Sequence, residues 1–443
     1  MRFQFSGPGN DRHAVKGPHL LPEIFRKAVG FIGNYPGTTV ELPGLYTDRA
    51  RSAISNRARG MADARIRAYC RDSRLAERQA LMQEQDPLAV IARHAPRFSD
   101  EAAIEIAKER YGLDVTVRTL VSERDQNFRM RATDGAEYVF KIANAAEAAE
   151  VTEFQIEALL HIADAVRRRQ IPIKTPQIVK TLDGETHVTL RSPDGRHIAR
   201  VVSFLPGVPL GERIASPMLA CNMGVCLAHL GRALADFSHP GSQQSLLWDV
   251  QRAPELRRLV RHVARADVKT AVLDALDDFE IHALPRLSSL RSQIIHSDFN
   301  ADNVLIDTQD SDAVAGVIDF GDMLRAPLIV DVAIGAAYLR EPDGDPLRLI
   351  AEFVAGYHGV TPLLGDELDI LFELLKARLS ASIAILDWRA SERGADDPYL
   401  ARLADDDASA GSFLCRLREI PREHARRVFS QVCASTPGDQ TAV

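Results

Sequence analysis

Cysteine is scarce in this 443-residue chain: Cys70, Cys221, Cys226, Cys415 and Cys433 are scattered, odd in number, and form no CxxC pair. A disulfide scaffold is therefore excluded, and the thiols read as reduced residues of a cytoplasmic protein. The thirteen histidines form no HxxxH or similar ligand pair, which removes a zinc hydrolase. The amino terminus, MRFQFSGPGNDRHAVKG, lacks an apolar h-region, so no secretory signal is expected. Long hydrophobic runs are missing as well. The most apolar stretch, LIVDVAIGAAYL from Leu328, is broken by Asp331 and too short to span a bilayer. Internal repeats and low-complexity tracts are absent.

Positive charge is in short supply overall, with a net charge of −7, which argues against general nucleic-acid binding. Its distribution is uneven. Residues 1–80 carry 12 Arg and 2 Lys against 7 acidic residues, a balance of +7 that leaves −14 for the remainder. A negative main body tolerates a cationic substrate better than an anionic one. With 46% hydrophobic and 26% charged residues, the chain has the composition of a soluble globular protein of two or three domains.

Residues 1–95 read as a basic extension, flexible or helical: 1–45 are rich in Gly and Pro, and 47–93 are Arg-rich and weakly amphipathic. A start at Met61 or Met82 is an alternative for this part. The folded body is expected from Pro96. Ser99 caps a helix that ends at Gly112. Strand-like runs follow at Val115–Val121, Asn127–Ala132 and Glu137–Ile142, with Thr133–Gly135 as a hairpin turn. A helix over Ala146–Arg168 and strands at His187–Arg191 and His197–Leu205 complete this lobe. After Pro206 the pattern turns helical: Met218–Phe237, Ala253–Ala264, Val268–Ala283, Leu347–Tyr357, Glu367–Trp388 and Ala410–Phe429. One strand-turn-strand region, Ile294–Ile318, interrupts them. The expected fold is α+β and bilobal, like a protein kinase. A small antiparallel-sheet lobe (96–205) binds the nucleotide, and a larger helical lobe (206–443) carries the catalytic and metal loops and the acceptor site.

The segment IIHSDFNADNVLID, Ile294–Asp307, sets His296, Asp298 and Asn303 in a polar loop between apolar half-strands. The run AGVIDFGD, Ala315–Asp322, then delivers Asp319. Phosphoryl transfer needs a carboxylate to orient the attacking hydroxyl and accept its proton, and oxygen ligands for a magnesium ion at the β and γ phosphates. Asp298 suits the first role; Asn303 and Asp319 suit the second. His296 is expected to pack beneath the loop and hold Asp298 by hydrogen bonding. Asp322 reads as a substrate contact or a turn residue, and Asp331 as a helix cap or loop brace.

Lys141, in YVFKIA, lies on a strand-like run with Glu157 sixteen residues later on the next helix, the pair that clamps α and β phosphates in this architecture. Glu153, one turn earlier, is the other possible partner. The loop SERDQNF, Ser122–Phe128, falls where the phosphates are covered but contains no glycine; Ser122 could assist there. SFLPG, Ser203–Gly207, joins the sheet to the helices, and a hinge at Ser203–Leu205 would offer backbone groups to the nucleotide base.

Together these residues resemble the aminoglycoside-phosphotransferase and choline-kinase-like family, whose hallmark is an HxD loop, Asn five residues later, and an IDF strand. DQNF (Asp125–Phe128), YVFKIAN, IIHSDFNADN and GVIDFGD are most similar to hydroxylysine kinases and related bacterial phosphotransferases. The resemblance covers Pro96 to the late helices. It departs at Ser297, where the family usually has Gly. It implies magnesium, ATP or GTP as donor, and a small hydroxylated amine or amino acid as acceptor, with no nucleic-acid or membrane partner. Selection of the acceptor would fall to late helices, with Arg378, Tyr338 and Trp388 as candidates. An antibiotic-inactivating phosphotransferase and a non-catalytic scaffold of the same fold are the competing readings.

Overall fold

The structure, a computed structural model, describes residues 95–212, 215–393 and 398–436. The extension expected over residues 1–95, with the alternative starts at Met61 and Met82, lies outside the described residues apart from Ala95.

Helix α1, Asp100–Tyr111, begins where the Ser99 hydroxyl accepts a bond from the Ala102 amide at 3.2 Å. It stops at Gly112, whose φ of 69° suits a residue without Cβ. Strands β1 (Val115–Leu120), β2 (Gln126–Ala132) and β3 (Glu137–Ile142) follow as an antiparallel meander. Their register sets Phe128 opposite Phe140, with the rings 6.3 Å apart. These rings, with Tyr111, Met130, Ile142 and Val201, form the apolar cluster between helix and sheet.

Helix α2, Ala149–Arg169, leads to β4 (Ile178–Val179), β5 (Val188–Ser192) and β6 (Gly195–Ser203). The sheet order is β1-β2-β3-β6-β4, with β5 also on β6. The β3–β6 register places Lys141 beside Arg200. The inner face of α2, with Phe154, Leu159 and Ile162, joins a second and larger cluster that includes Met223 and Leu227.

After β7 (Val208–Pro209) the chain is mainly helical. Helix α3 spans Pro217–Leu234 and α4 spans Ala266–Asp278. The α-helix expected over Ala253–Ala264 is instead a 3₁₀ stretch at Val250–Arg258 and a turn at Val260–His262. Pro254 inside it cannot donate to an α-helical ladder. The short strands β8 (Ser292–Ile295), β9 (Val304–Ile306), β10 (Val314–Val317) and β11 (Leu324–Pro327) form two ribbons, β8–β11 and β9–β10, with β7 on β9. Helices α5 (Leu328–Ala336), α6 (Arg348–Val360), α7 (Leu371–Arg393), α8 (Pro398–Arg418) and α9 (Arg422–Ser435) complete the chain. The single helix expected over Ala410–Phe429 is thus two, broken at Pro421, which disfavours helical backbone in the residue before it. Among the described residues no helix is long and apolar enough to cross a membrane.

The helical core depends on a backbone-to-backbone crossing of α3 and α6. A Cβ on Gly224 would stand 2.0 Å from the Phe353 carbonyl oxygen, and one on Gly356 would stand 2.0 Å from that of Cys221. Neither contact can be relieved by a rotamer change, so the helices must separate. Gly224→Ala is expected to destabilise the protein by roughly 3 kcal/mol; equilibrium urea unfolding checks this.

Candidate active site

Strand β8 ends at Ile295, and the next two amides are held by one carboxylate. Asp331, in the first turn of α5, accepts the N–H of His296 at 3.0 Å and of Ser297 at 2.8 Å. The chain turns through Ser297 at φ 63°, the left-handed region where glycine is unstrained. Burial pushes the Asp331 carboxyl up to about 6, against the pull of the two amides. Beneath the loop His296 is fully buried, its ring edge-on to Phe320 at 4.8 Å. Its Nε2 faces the Ile318 carbonyl at 3.2 Å and its Nδ1 accepts the Asp298 amide at 3.3 Å, which assigns the Nε2–H tautomer. Burial pushes the imidazole down to about 4, so it is neutral.

The turn aims Asp298 into a web of donors. Its Oδ1 accepts from Asn300 Nδ2 at 2.9 Å and Arg378 Nη2 at 3.1 Å, and its Oδ2 accepts from Asn303 Nδ2 at 2.7 Å. Burial holds the carboxyl well above the usual carboxylate range, reinforced by Asp322 and opposed by Arg378. With its amide nitrogen on Asp298, Asn303 has an oxygen left for a cation. Asp319 follows β10 at φ 59° and receives Lys141 Nζ at 2.9 Å on Oδ1. Lys141 holds its carboxyl down at about 2, so the group is charged. Strain of this kind persists where the surroundings over-determine it, as at functional sites. Two oxygens, one amide and one carboxylate, suit a hard cation completed by phosphate oxygens. Among the described residues no three His, Cys, Asp or Glu side chains gather into a metal cage.

The structure therefore brings Lys141, Asp298, Asn303 and Asp319 together over His296. Glu157 does not join them. It lies on the outer face of α2, its side chain 59% exposed, 3.6 Å from His239. The expected Lys141–Glu157 pair is corrected to Lys141–Asp319. The buried positions of α2 include Thr152, Phe154, Gln155, Ile156 and Leu159, whereas Glu153 and Glu157 are turned outward. Gln155 is the inward polar residue, donating to the Gly321 carbonyl at 3.3 Å and accepting from Arg200. At Ser203 the hydroxyl accepts the Gln177 amide at 2.9 Å, and the Ser203 N–H donates to the Gln177 carbonyl at 2.9 Å. Leu205 and Ser122 are half-buried, in the sheet-to-helix connection and the β1–β2 loop.

Two residues went unread in the glycine-free loop. Arg124 pairs with Asp322, and Glu123 pairs with Arg389 of α7 at 3.1 Å, so the β1–β2 loop is tied to the helical lobe. The signal was visible as opposite charges adjacent in SERDQNF. Arg378, expected as an acceptor contact or as core packing, touches Asp298 itself. An arginine inside the apolar run of α7 was the sign.

Two outcomes follow from this geometry. Ser297→Gly relieves the left-handed backbone and is expected to stabilise the protein by about 0.5–1 kcal/mol while keeping the loop's hydrogen bonds, as read by thermal melting. The folded His296 ring stays neutral to about pH 4, whereas an unfolded one takes a proton near pH 6.5. The unfolded chain binds more protons between those values, so this group's contribution falls as pH falls through them. Between pH 7 and pH 4.5 wild type is expected to lose about 2.5 kcal/mol more than His296→Gln in urea melts.

The chain is similar to hydroxylysine kinase of Xenopus laevis, 27% identical over 377 residues that span 80% of this chain and 99% of that one. Hydroxylysine kinase of Mus musculus is 28% identical over 328 residues, 69% of this chain and 86% of its own. A homoserine kinase of Methylobacillus glycogenes is 30% identical over 239 residues, 53% and 68% of the two chains. The fold is shared with an amicoumacin kinase solved with AMP-PNP and Ca2+, at TM-score 0.55 and 15% identity over 74% of this chain and 97% of that one. It is shared too with a microcompartment-associated aminopropanol kinase, at TM-score 0.54 and 18% identity over 72% and 97%. At such identities the likeness is one of fold. The APH description, the phosphotransferase enzyme family, matches residues 116–368, more than half of the chain and a span from β1 past Asp331. This chain belongs to the phosphotransferase enzyme family.

Proposed function

We propose that the protein is a cytoplasmic small-molecule kinase that transfers the γ-phosphoryl group of magnesium-bound ATP or GTP to a hydroxyl of a small amine or amino acid of the hydroxylysine type. The observation that carries this reading is the convergence of Asp298, Asn303, Asp319 and Lys141 from three separate stretches of chain, with Asn303 on Asp298 at 2.7 Å and Lys141 on Asp319 at 2.9 Å. The names of the hydroxylysine and homoserine kinases support the acceptor class.

In this reading residues 96–205 hold the nucleotide, with its base against backbone of Ser203–Leu205, and residues 206–443 carry the catalytic loops and the acceptor. Asp298 accepts a hydrogen bond from the acceptor hydroxyl and takes its proton as the oxygen bonds to the γ-phosphorus. The bond from that phosphorus to the β-phosphate oxygen breaks, and nucleoside diphosphate leaves. Lys141 serves the α and β phosphates. Asn303 and Asp319 would hold magnesium through their oxygens, and the bound ion would supply positive charge to the transferring phosphates. Arg124 stands in for the glycine-rich backbone cradle, placing a guanidinium over the phosphates from the β1–β2 loop. Asp298, Asn303, Asp319 and Lys141 are all present, which disfavours a non-catalytic scaffold.

The test incubates the protein with magnesium and ATP or GTP across 5-hydroxylysine, homoserine, choline and aminoglycosides, reading phosphorylated product by mass. Transfer to an acceptor is expected, with kcat reduced about 10³-fold in Asp298→Ala and about tenfold or more in Arg124→Ala. Failure to bind either nucleotide with magnesium would sink the kinase reading.

A further inference from the structure

Asp322 follows the Asp319 loop, and its one hydrogen-bond partner among the described residues is the Arg124 guanidinium. The arginine covers it: the Asp322 side chain is 10% exposed and the Arg124 side chain 16%. The surface a ligand would need on this carboxylate is therefore the surface the guanidinium occupies, and it opens when the guanidinium leaves. The opening adjoins Asp298. Asp322 lies near enough for its charge to act on both Asp298 and Arg378, and the Asp298 side chain is itself partly exposed.

Arg124 has a second anion within reach once nucleotide arrives. A Cβ on Gly321 would lie 3.3 Å from Asp319 Oδ1 and 3.6 Å from Arg124 Nη2, so the guanidinium stands beside the carboxylate that holds Lys141. Phosphates drawn to Lys141 meet Arg124 there, and they carry more negative charge than one carboxylate. Its departure strands a single acidic group. Glu123 keeps Arg389 at 3.1 Å and its bond from Trp248, and Asp298 keeps Arg378. Asp322 keeps no cation, and a buried carboxylate stripped of its partner is costly. A divalent ion needs more oxygens than this one group supplies, and among the described residues no three acidic, His or Cys side chains gather into a metal cage. The vacated space suits one positive charge on a group smaller than guanidinium, with room for the carbon that bears it.

We propose that Asp322 binds the acceptor's ammonium group nearest the reacting hydroxyl, and that Arg124 fills this site until nucleotide draws it away. This rests on the kinase reading above and names the part of the acceptor that the site reads. The arginine is a resident stand-in for the substrate cation, so the acceptor site forms only after nucleotide binds. The two ligands then favour one another, and by linkage each raises the other's affinity by the same factor. With Asp298 on the hydroxyl and Asp322 on the amine, the preferred acceptor is an amino alcohol whose two groups are close together, as the hydroxyl and terminal amine of 5-hydroxylysine are.

Calorimetry tests the exchange. Magnesium AMP-PNP and GMP-PNP are titrated onto wild type, Asp322→Asn, Arg124→Gln and the double variant. Freeing Arg124 from its internal anion is expected to tighten nucleotide binding about fivefold in Asp322→Asn, with no gain when Arg124→Gln is already present. A gain that persists without Arg124, or no gain at all, overturns the proposal and leaves the kinase reading standing; failure of both nucleotides to bind removes both. Wild type alone supplies a second arm that no folding defect can obscure. It should bind 5-hydroxylysine about tenfold more tightly with the nucleotide analogue than without it. Equal affinity, or no binding of 5-hydroxylysine under either condition, rejects the site. The ammonium itself is tested with 2-amino-5-hydroxyheptanoate, in which a methyl replaces the terminal ammonium. Wild type is expected to favour 5-hydroxylysine roughly a hundredfold in kcat/KM, and Asp322→Asn by no more than about threefold. A preference that survives in Asp322→Asn assigns the ammonium to another group and overturns the proposal.

Discussion

The site depends on a single carboxylate gripping two consecutive amides. Asp331 holds the N–H groups of His296 and Ser297, and this bidentate hold fixes the left-handed turn that raises Asp298 from the loop. Removing it would leave two buried donors unpaired at the point of greatest backbone strain. The carboxylate reaches them because it rides on α5, an almost wholly apolar helix whose packing fixes its axis. Burial of Val330, Val332 and Ile334 therefore positions a functional side chain several bonds away. His296 works from below in the same sense. Neutral and hydrogen-bonded at both ring nitrogens, it ties the Asp298 amide to the Ile318 carbonyl, one residue before Asp319. The Asp298 loop and the Asp319 loop are thereby set by one ring.

Above this floor the charges are arranged in pairs. Lys141 on Asp319, Arg124 on Asp322 and Arg389 on Glu123 each join residues more than a hundred positions apart in sequence. Two of the pairs start in the β1–β2 loop. Asp319 is 46% exposed, which keeps its pair with Lys141 weak, and the two buried pairs repay their desolvation only with good geometry, so exchanging one partner for a phosphate or a metal-bound oxygen is close to balanced. On the kinase reading, that near-balance lets nucleotide enter without the site first having to unfold. The lysine's contact with Asp319 in place of a helix glutamate fits this logic: the pair sits where phosphate and cation would separate the two charges.

Much of the frame was legible in the sequence. The runs at Glu137–Ile142 and the turn at Thr133–Gly135 gave an alternation that only a hairpin satisfies, and the structure has β3 at the same bounds. The spacing of His296, Asp298, Asn303 and Asp319 was legible because it is local: two loops, each framed by short apolar strands. Glu157 was misread because periodicity says which residues share a helix face, not which face meets the sheet. The larger apolar cluster claims the face bearing Phe154 and Leu159, and Glu157 is left outside. The break at Pro421 was available as a helix terminator and was overridden by the apolar pattern on both sides. Arg124 and Arg378 were out of reach for a deeper reason. Their meaning lies in partners 198 and 80 positions away, and no spacing within one element carries that information.

The β1–β2 loop shows how such a segment is held without glycine. A glycine-rich cradle works by exposing several backbone amides at once, and it needs conformations that side-chain-bearing residues resist. Here the β1–β2 loop is held instead by side-chain bonds: Asp125 accepts the Asn144 amide at 3.2 Å, and the Arg124 carbonyl accepts Asn144 Nδ2 at 3.1 Å. Those bonds spend the loop's own polar groups on rigidity and leave the Arg124 side chain for Asp322. A single guanidinium concentrates the positive potential that a cradle spreads over several amides, and its position is set by whichever anion it meets. In the structure that anion is Asp322, just beyond the metal loop. The loop is consequently coupled to the Asp319 segment by charge, where a glycine-rich loop would be coupled to it only through the nucleotide.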